Sequence, residues 1–311
     1  MFLGYNTNGL AHHDLFDAVA LLAEIGYRGV AITIDHNALP PGGRYAGQRI
    51  VRLRSLLEKL GMRSVIETGA RFLLDPRVKH EPTLLSESPR CRIDFYKYAV
   101  DCAAELGSDC VSLWSGVGTG PFFGQKANSA SKTQAENMDL SPSVTPIDRD
   151  DSSRQPPPSP SHHRQAMDRL VEGLREVLEY AATKDVLVGF EPEPGMFIDT
   201  MPAFEELLGR IDAPNLRVTL DIGHLQCQGE LPISDVIRRW APRLANVHIE
   251  DMRRGVHEHL MFGEGEIEFP PVLQALAEVG YTGGVYVELS RHSHEGPAAA
   301  RKAFEFLQGR V

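Results

Sequence analysis

Short apolar runs that stop at a polar or acidic residue alternate along this chain with longer stretches of helical period, and no other feature limits the fold as much. A compact β-branched run reads as a strand, and apolar residues three and four apart read as one face of a helix. Strand, helix and strand in repeated order mean parallel strands joined by helical crossovers. Phe2 to Asn6 opens as a strand, Leu15 to Ile25 is helical, and Gly29 to Ile34 is again a strand, bounded by Gly26 and Asp35. Helix Ile50 to Leu60 stops at Gly61 and helix Phe95 to Leu106 at Gly107, where glycine caps a helix end. Strands Arg63 to Ile66 and Cys110 to Trp114 follow them. Helices Leu170 to Ala182, Ala203 to Ile211, Ile233 to Trp240 and Val272 to Val279 precede strands Val186 to Phe190, Arg217 to Leu220, Ala245 to Ile249 and Val285 to Val287, and helix Ala299 to Leu307 closes the chain. These are about eight strand-helix units, the number that closes an α/β (β/α)8 TIM barrel.

Residues 115–163 break the rhythm. They are rich in Gly, Ser, Asn, Gln, Asp and Pro, run through Gln155 to Ser161, and hold too few large apolar residues to pack a core. They are expected to form a disordered insertion after the fourth strand, within a single domain spanning 1–311. It would be a linker or, on the face where barrel active sites lie, a lid. About 260 residues remain without it, near the ~250 typical of one barrel.

A formal charge of −10 sets up an average field that repels polyanions, so nucleic acid and anionic membranes are disfavoured as partners. Cys91, Cys102, Cys110 and Cys227 are irregularly spaced with no C-x-x-C pair, which suggests reduced thiols rather than a disulfide framework or a thiolate zinc site. The chain opens directly on a strand, with no basic and apolar leader and no run of bilayer length, and is expected to be cytoplasmic.

In a parallel barrel the C-terminal strand ends share one mouth, so polar residues far apart in sequence converge there. Glu191 ends the fifth strand, Asp221 the sixth, His248 lies late in the seventh and Glu288 ends the eighth. Each alone is an ordinary solvated strand end. Four on consecutive strands would repel one another in a desolvated mouth unless a cation sat among them. Three carboxylates and one imidazole suit Mn, Mg, Co or Zn better than a soft metal. His224, in Asp221-Ile-Gly-His224, could ligate the metal, bind a substrate hydroxyl or sit in a surface loop. His257 and His259 would present both rings to one side of an extended segment, for a second metal or for substrate. Arg71, Arg77, Lys79 and His80 gather positive charge after the third strand, for a substrate phosphate or carboxylate or simply as a solvated loop.

These residues resemble the xylose isomerase-like TIM-barrel superfamily of sugar and sugar-phosphate isomerases and epimerases and apurinic endonucleases. The likeness rests on Gly-Phe-Glu191-Pro, Leu-Asp221-Ile-Gly-His224, Asn-Val-His248-Ile-Glu-Asp251, the run from His259 to Gly265, and Val-Glu288, and it covers nearly the whole chain outside the insertion. By resemblance to the ketose epimerases, Glu191, Asp221, His248 and Glu288 are metal ligands, His224 binds substrate, and the substrate arginine falls at Arg253 or, better, Arg254. In the endonucleases the places of His257 and His259 hold an additional zinc through an aspartate and a histidine. Here His257 replaces that aspartate, and Glu67 and Trp114 stand near strand ends where the endonucleases supply histidines. With the acidic charge, this argues against a trinuclear zinc cluster and against DNA repair. The resemblance also implies a homodimer.

The implied activity is a divalent-metal-dependent isomerase or epimerase acting on a sugar, sugar phosphate, sugar acid or cyclitol. The cation would polarise a carbonyl and ease formation of an enediolate. Glu191 and Glu288 are the catalytic candidates, one removing a proton and the other returning it. Ligation depresses carboxylate basicity, so Glu193 or Glu67 is an alternative base, and Glu67 and His257 are further candidates for substrate contact. The alternatives are a metal-dependent lyase or hydrolase in the same mouth, including phosphodiester cleavage, or a non-catalytic metabolite-binding barrel.

Overall fold

The computed structural model of the protein describes residues 1–43, 45–117 and 160–311. The chain runs β1 (Phe2–Asn6), α1 (Leu15–Ile25), β2 (Gly29–Thr33), α2 (Ala46–Leu60), β3 (Arg63–Glu67), α3 (Arg90–Leu106), β4 (Val111–Leu113), α4 (Pro160–Ala182), β5 (Val188–Phe190), α5 (Met201–Leu208) and β6 (Leu216–Asp221). It continues through α6 (Ile222–Gln228), α7 (Ile233–Trp240), β7 (Leu244–Ile249), β8 (Asp251–Arg253), β9 (Val256–Leu260), α8 (Phe269–Glu278), β10 (Gly284–Val287) and α9 (Gly296–Leu307). Eight parallel strands close in the order β1-β10-β7-β6-β5-β4-β3-β2, the barrel expected from the alternation. Gly61 and Gly107 end α2 and α3 with φ of 64° and 66°, a left-handed turn that glycine enters without a Cβ clash.

Two buried regions follow from the two faces of each strand. Residues turned outward, such as Val30, Ile32, Ile66, Phe190 and Val287, join the helices in one continuous apolar shell. Residues turned inward include Ala31, Val65, Cys110 and Tyr286, a separate small cluster. Tyr286 fits because Gly4, Gly29 and Gly284 stand around its ring. A Cβ on them would come within 2.2, 3.0 and 2.4 Å of ring atoms. Side chains two apart share a strand face, so the inward series continues from Tyr286 to Glu288, from Asn246 to His248, from Thr219 to Asp221, from Gly189 to Glu191 and from Val65 to Glu67. An apolar plug thus lies below and a polar layer above it.

Several expectations need correction. Residues 118–159, the middle of the expected 115–163 insertion, lie outside the described residues. Its edges belong to the fold. Ser115 is buried and its Oγ accepts a hydrogen bond from Ile198 N at 3.0 Å, while residues 160–163 form the first turn of α4, which starts ten residues before the apolar period shows it. Helix α6 and the antiparallel hairpin β8-β9 escape the sequence pattern. Helix α6 begins with no loop after β6 and is buried from Ile222 to Cys227, so it shows no polar face. The hairpin is short, and turns at Arg254 and Gly255, where Gly255 has φ of 72°. Among the described residues no helix is long and apolar enough to cross a membrane.

Candidate metal centre

Strands β10, β7, β6 and β5 are neighbours, so Glu288, His248, Asp221 and Glu191 form an arc along half the barrel mouth. His248 is its middle. Its Nδ1 lies 3.1 Å from Glu191 Oε1, 3.0 Å from Glu288 Oε2 and 3.8 Å from Asp221 Oδ2. One donor atom from each of the four residues lies within 4.8 Å of the others. His248, Asp221 and Glu191 are buried and Glu288 nearly so. Asp221 divides its oxygens: Oδ1 accepts from His224 N at 2.8 Å and caps α6, while Oδ2 is buried with no hydrogen-bond partner.

The opposite side of the His248 ring is held across the barrel. Its Nε2 is 3.0 Å from Glu67 Oε1, which also accepts from Asn246 Nδ2 at 3.1 Å. One Glu67 oxygen thus meets both the His248 ring and the Asn246 amide. An imidazole that donates from Nε2 to a carboxylate keeps the Nδ1 lone pair for a cation. This orientation, the orphaned Asp221 oxygen and three converging carboxylates fit a divalent ion of hard or borderline character. Asn8 Nδ2 donates to Glu288 Oε1 at 2.8 Å and leaves Oε2 toward His248.

The acids are not equivalent. Burial drives the Glu191 carboxyl well above the usual range, against the opposing pull of His248. Burial also opposes ionisation of Glu288, but its hydrogen bond to His248 and that ring's charge prevail and hold it below the usual range. At Asp221 the burial penalty is overcome by His224 and His248. Desolvation disfavours the charged His248 ring, yet Glu67 and Glu191 raise it well above an ordinary histidine. Glu193, above Glu191, is pushed up to about 7 by burial and by Glu288.

A second group lies beside the first. His224, on α6, approaches Asp221 Oδ2 with Nε2 at 3.7 Å, and its Nδ1 lies 3.1 Å from Pro192 O. Strand β9 is extended and brings both its histidines inward: His257 Nε2 is 3.1 Å from His224 Nε2, and the His259 ring centroid is 5.9 Å from that of His224. Burial, with His224 nearby, lowers His257 to about 3. Burial disfavours the charge on His259 too, but Glu250 overrides it and lifts the ring to about 10. Glu250 is the residue that sequence reasoning passed over. It stands two after His248 and so on the same face, a spacing that could have singled it out.

Other candidates fall elsewhere. Arg254 is exposed, with its guanidinium against Gly229 at the end of α6, and Arg253 donates from Nη2 to Glu264 O at 2.8 Å. In the loop after β3, His80 turns inward, with Nδ1 2.8 Å from Gly69 O and its ring edge-on to Trp114. Buried Arg92 ties this loop down, donating to Pro82 O at 2.7 Å, His80 O at 2.6 Å and Thr68 O at 3.4 Å.

A closed parallel barrel with carboxylates and an imidazole on four adjoining strand ends defines a class of barrel organised around a cation-sized cluster. The chain belongs to the family described as xylose isomerase-like TIM barrel, which matches residues 19–310. It is 32% identical over 126 residues to an uncharacterised protein of Methanocaldococcus jannaschii, over 39% of this chain and 43% of that one. It is 25% identical over 158 residues to an inosose dehydratase of Clostridium botulinum, over 45% and 51% of the two chains. The chain thus spans about half the length of the curated relatives it matches. Among solved structures, a D-allulose 3-epimerase from Methylomonas sp. is similar with a TM-score of 0.69 at 17% identity, covering 100% of this chain and 98% of the other. The IOLI protein with a bound zinc atom gives the same TM-score, identity and coverage. At these identities the likeness is one of fold.

Proposed function

We propose that the protein is a divalent-metal-dependent enzyme that moves a proton at the carbon beside a carbonyl of a sugar, sugar phosphate, sugar acid or cyclitol, giving isomerisation or epimerisation. Glu191, Asp221, His248 and Glu288 would hold the cation, which when bound supplies polarisation of the carbonyl. The observation that carries the reading is that Glu191 and Glu288 approach one point, His248 Nδ1, at 3.1 and 3.0 Å from the two ends of the strand arc. A polyol lying over that point has a carboxylate on either flank. One glutamate takes the proton and the other returns it. His224, buried beside Asp221, would bind a hydroxyl.

Kinship with inosose dehydratases favours a second reading, in which removal of the same proton is followed by loss of the neighbouring hydroxyl as water. Both readings share one test. Metal-loaded protein is incubated in heavy water with a panel of ketoses, sugar acids and inososes, and deuterium is sought at the carbon beside the carbonyl. Exchange with isomerised product supports the first reading, and a product lighter by one water supports the second. Glu191→Gln and Glu288→Gln are each expected to abolish exchange, and a variant that retains it removes that glutamate from the mechanism.

A further inference from the structure

Glu250 is fully buried, yet neither of its carboxylate oxygens has a hydrogen-bond partner. Such a group is costly to bury unless something else neutralises it. Its Oε1 stands 3.7 Å from His259 Nδ1, which is also without a hydrogen-bond partner. That separation is too long for a hydrogen bond but falls within the roughly 3–4 Å expected between two ligands that each bond one ion at about 2.0–2.2 Å. The carboxylate has a recess made for it. A Cβ on Gly223 would meet Glu250 Oε1 at 1.9 Å, so the glycine between Asp221 and His224 leaves the space that the carboxylate enters. One donor atom each from Asp221, Glu250 and His259 lies within 4.8 Å of the others.

We propose that Asp221, Glu250 and His259 hold a second divalent cation, next to the one assigned to Glu191, Asp221, His248 and Glu288 and sharing the Asp221 carboxylate with it. The inference rests on that first site only through Asp221. Two carboxylates and one imidazole suit Mn2+ or Zn2+. The site is distinct from a trihistidine arrangement of His224, His257 and His259. The donors of those three histidines also lie within 4.8 Å of one another, but it is the Glu250 carboxylate and His259 Nδ1 that are buried without a hydrogen-bond partner. An ion there would neutralise Glu250 and bring a second positive centre against the substrate space, the arrangement used to bind two oxygens of one substrate at once.

The test counts metal. Full-length protein stripped with a chelator is dialysed against Mn2+ and its bound manganese measured by elemental analysis, with electron paramagnetic resonance to detect spin coupling through a shared carboxylate. Two ions per chain and a coupled signal are expected. Glu250→Gln and His259→Gln should each leave one ion and no coupling, and His257→Gln should leave two. Unchanged thermal unfolding of the metal-free variants shows that the fold survives. A wild-type count of one that depends on Glu191 and not on Glu250 overturns the second site and leaves the functional reading standing. A count of one that depends on Glu250 and not on Glu191 does the reverse. Loss of the second ion in His257→Gln, with retention in Glu250→Gln, moves it to the histidines and also overturns the assignment.

Discussion

Replacing Glu67 with glutamine isolates the contribution of the far side of the barrel to the metal centre. Glu67 Oε1 lies 3.0 Å from His248 Nε2 and 3.1 Å from Asn246 Nδ2, so one oxygen fixes both the ring and its tautomer. Glutamine keeps the shape and an acceptor oxygen but removes the charge. A hydrogen bond to a charged group contributes about 1.5–3 kcal/mol and a neutral one about 0.5–1.5 kcal/mol, so the loss is roughly 1–1.5 kcal/mol, close to tenfold in cation affinity. Removing the acceptor altogether in Glu67→Ala should approach the upper end of the 10- to 100-fold range typical for such supporting partners. The assay is competitive titration of metal-stripped protein with Co2+ against a chelating dye, paired with substrate KM for the loaded enzyme. Affinity should fall in the order wild type, Gln, Ala, while KM stays constant at saturating metal. Unchanged affinity with a raised KM would refute the reasoning and make Glu67 a substrate contact, the role suggested by its place at a strand end.

Arg92→Met should remove three hydrogen bonds to the carbonyls of Pro82, His80 and Thr68 and a guanidinium stacked 5.1 Å from the Trp114 ring. A loss of about 3–5 kcal/mol in denaturant unfolding is expected, and less than ~1 kcal/mol would show that the loop does not depend on it. His80 is lowered to about 4 by burial and by Lys79, while the unfolded imidazole titrates near 6.5. Below pH 6.5 the unfolded chain therefore takes up a proton that the native chain refuses. This contribution is full above pH 6.5 and declines by roughly 3 kcal/mol as pH falls to about 4. His80→Gln should flatten that part of the unfolding profile, and an unaltered profile would contradict the assignment.

The local signals were legible because they are one-dimensional. Period-two and helical patterns, together with glycine after a helical run, gave α1 and α7 their full extent and placed β1. The same alternation picked out Glu191, Asp221, His248 and Glu288 as strand-end donors, and the closed barrel brings them together. Helix α6 was hidden because Asp221 is at once the last residue of β6 and the N-cap of the helix, so no loop marks the change. Proximity in sequence to the metal-site strand suggested Arg254, but the turn of the hairpin carries it outward onto Gly229.

The sequence by itself determined the barrel, its eight strands and which of their ends carry carboxylate and imidazole, since each depends on the alternation of side chains along a single segment. Tertiary structure decided which of those groups work on one another. Only closure sets β3 opposite β7, so that Glu67 holds His248, and only the packing of α6 under the hairpin brings Gly223, Glu250 and His259 to one point. Periodicity fixes the face a side chain occupies. Which distant strand or loop it meets there depends on where the barrel closes and how its loops pack.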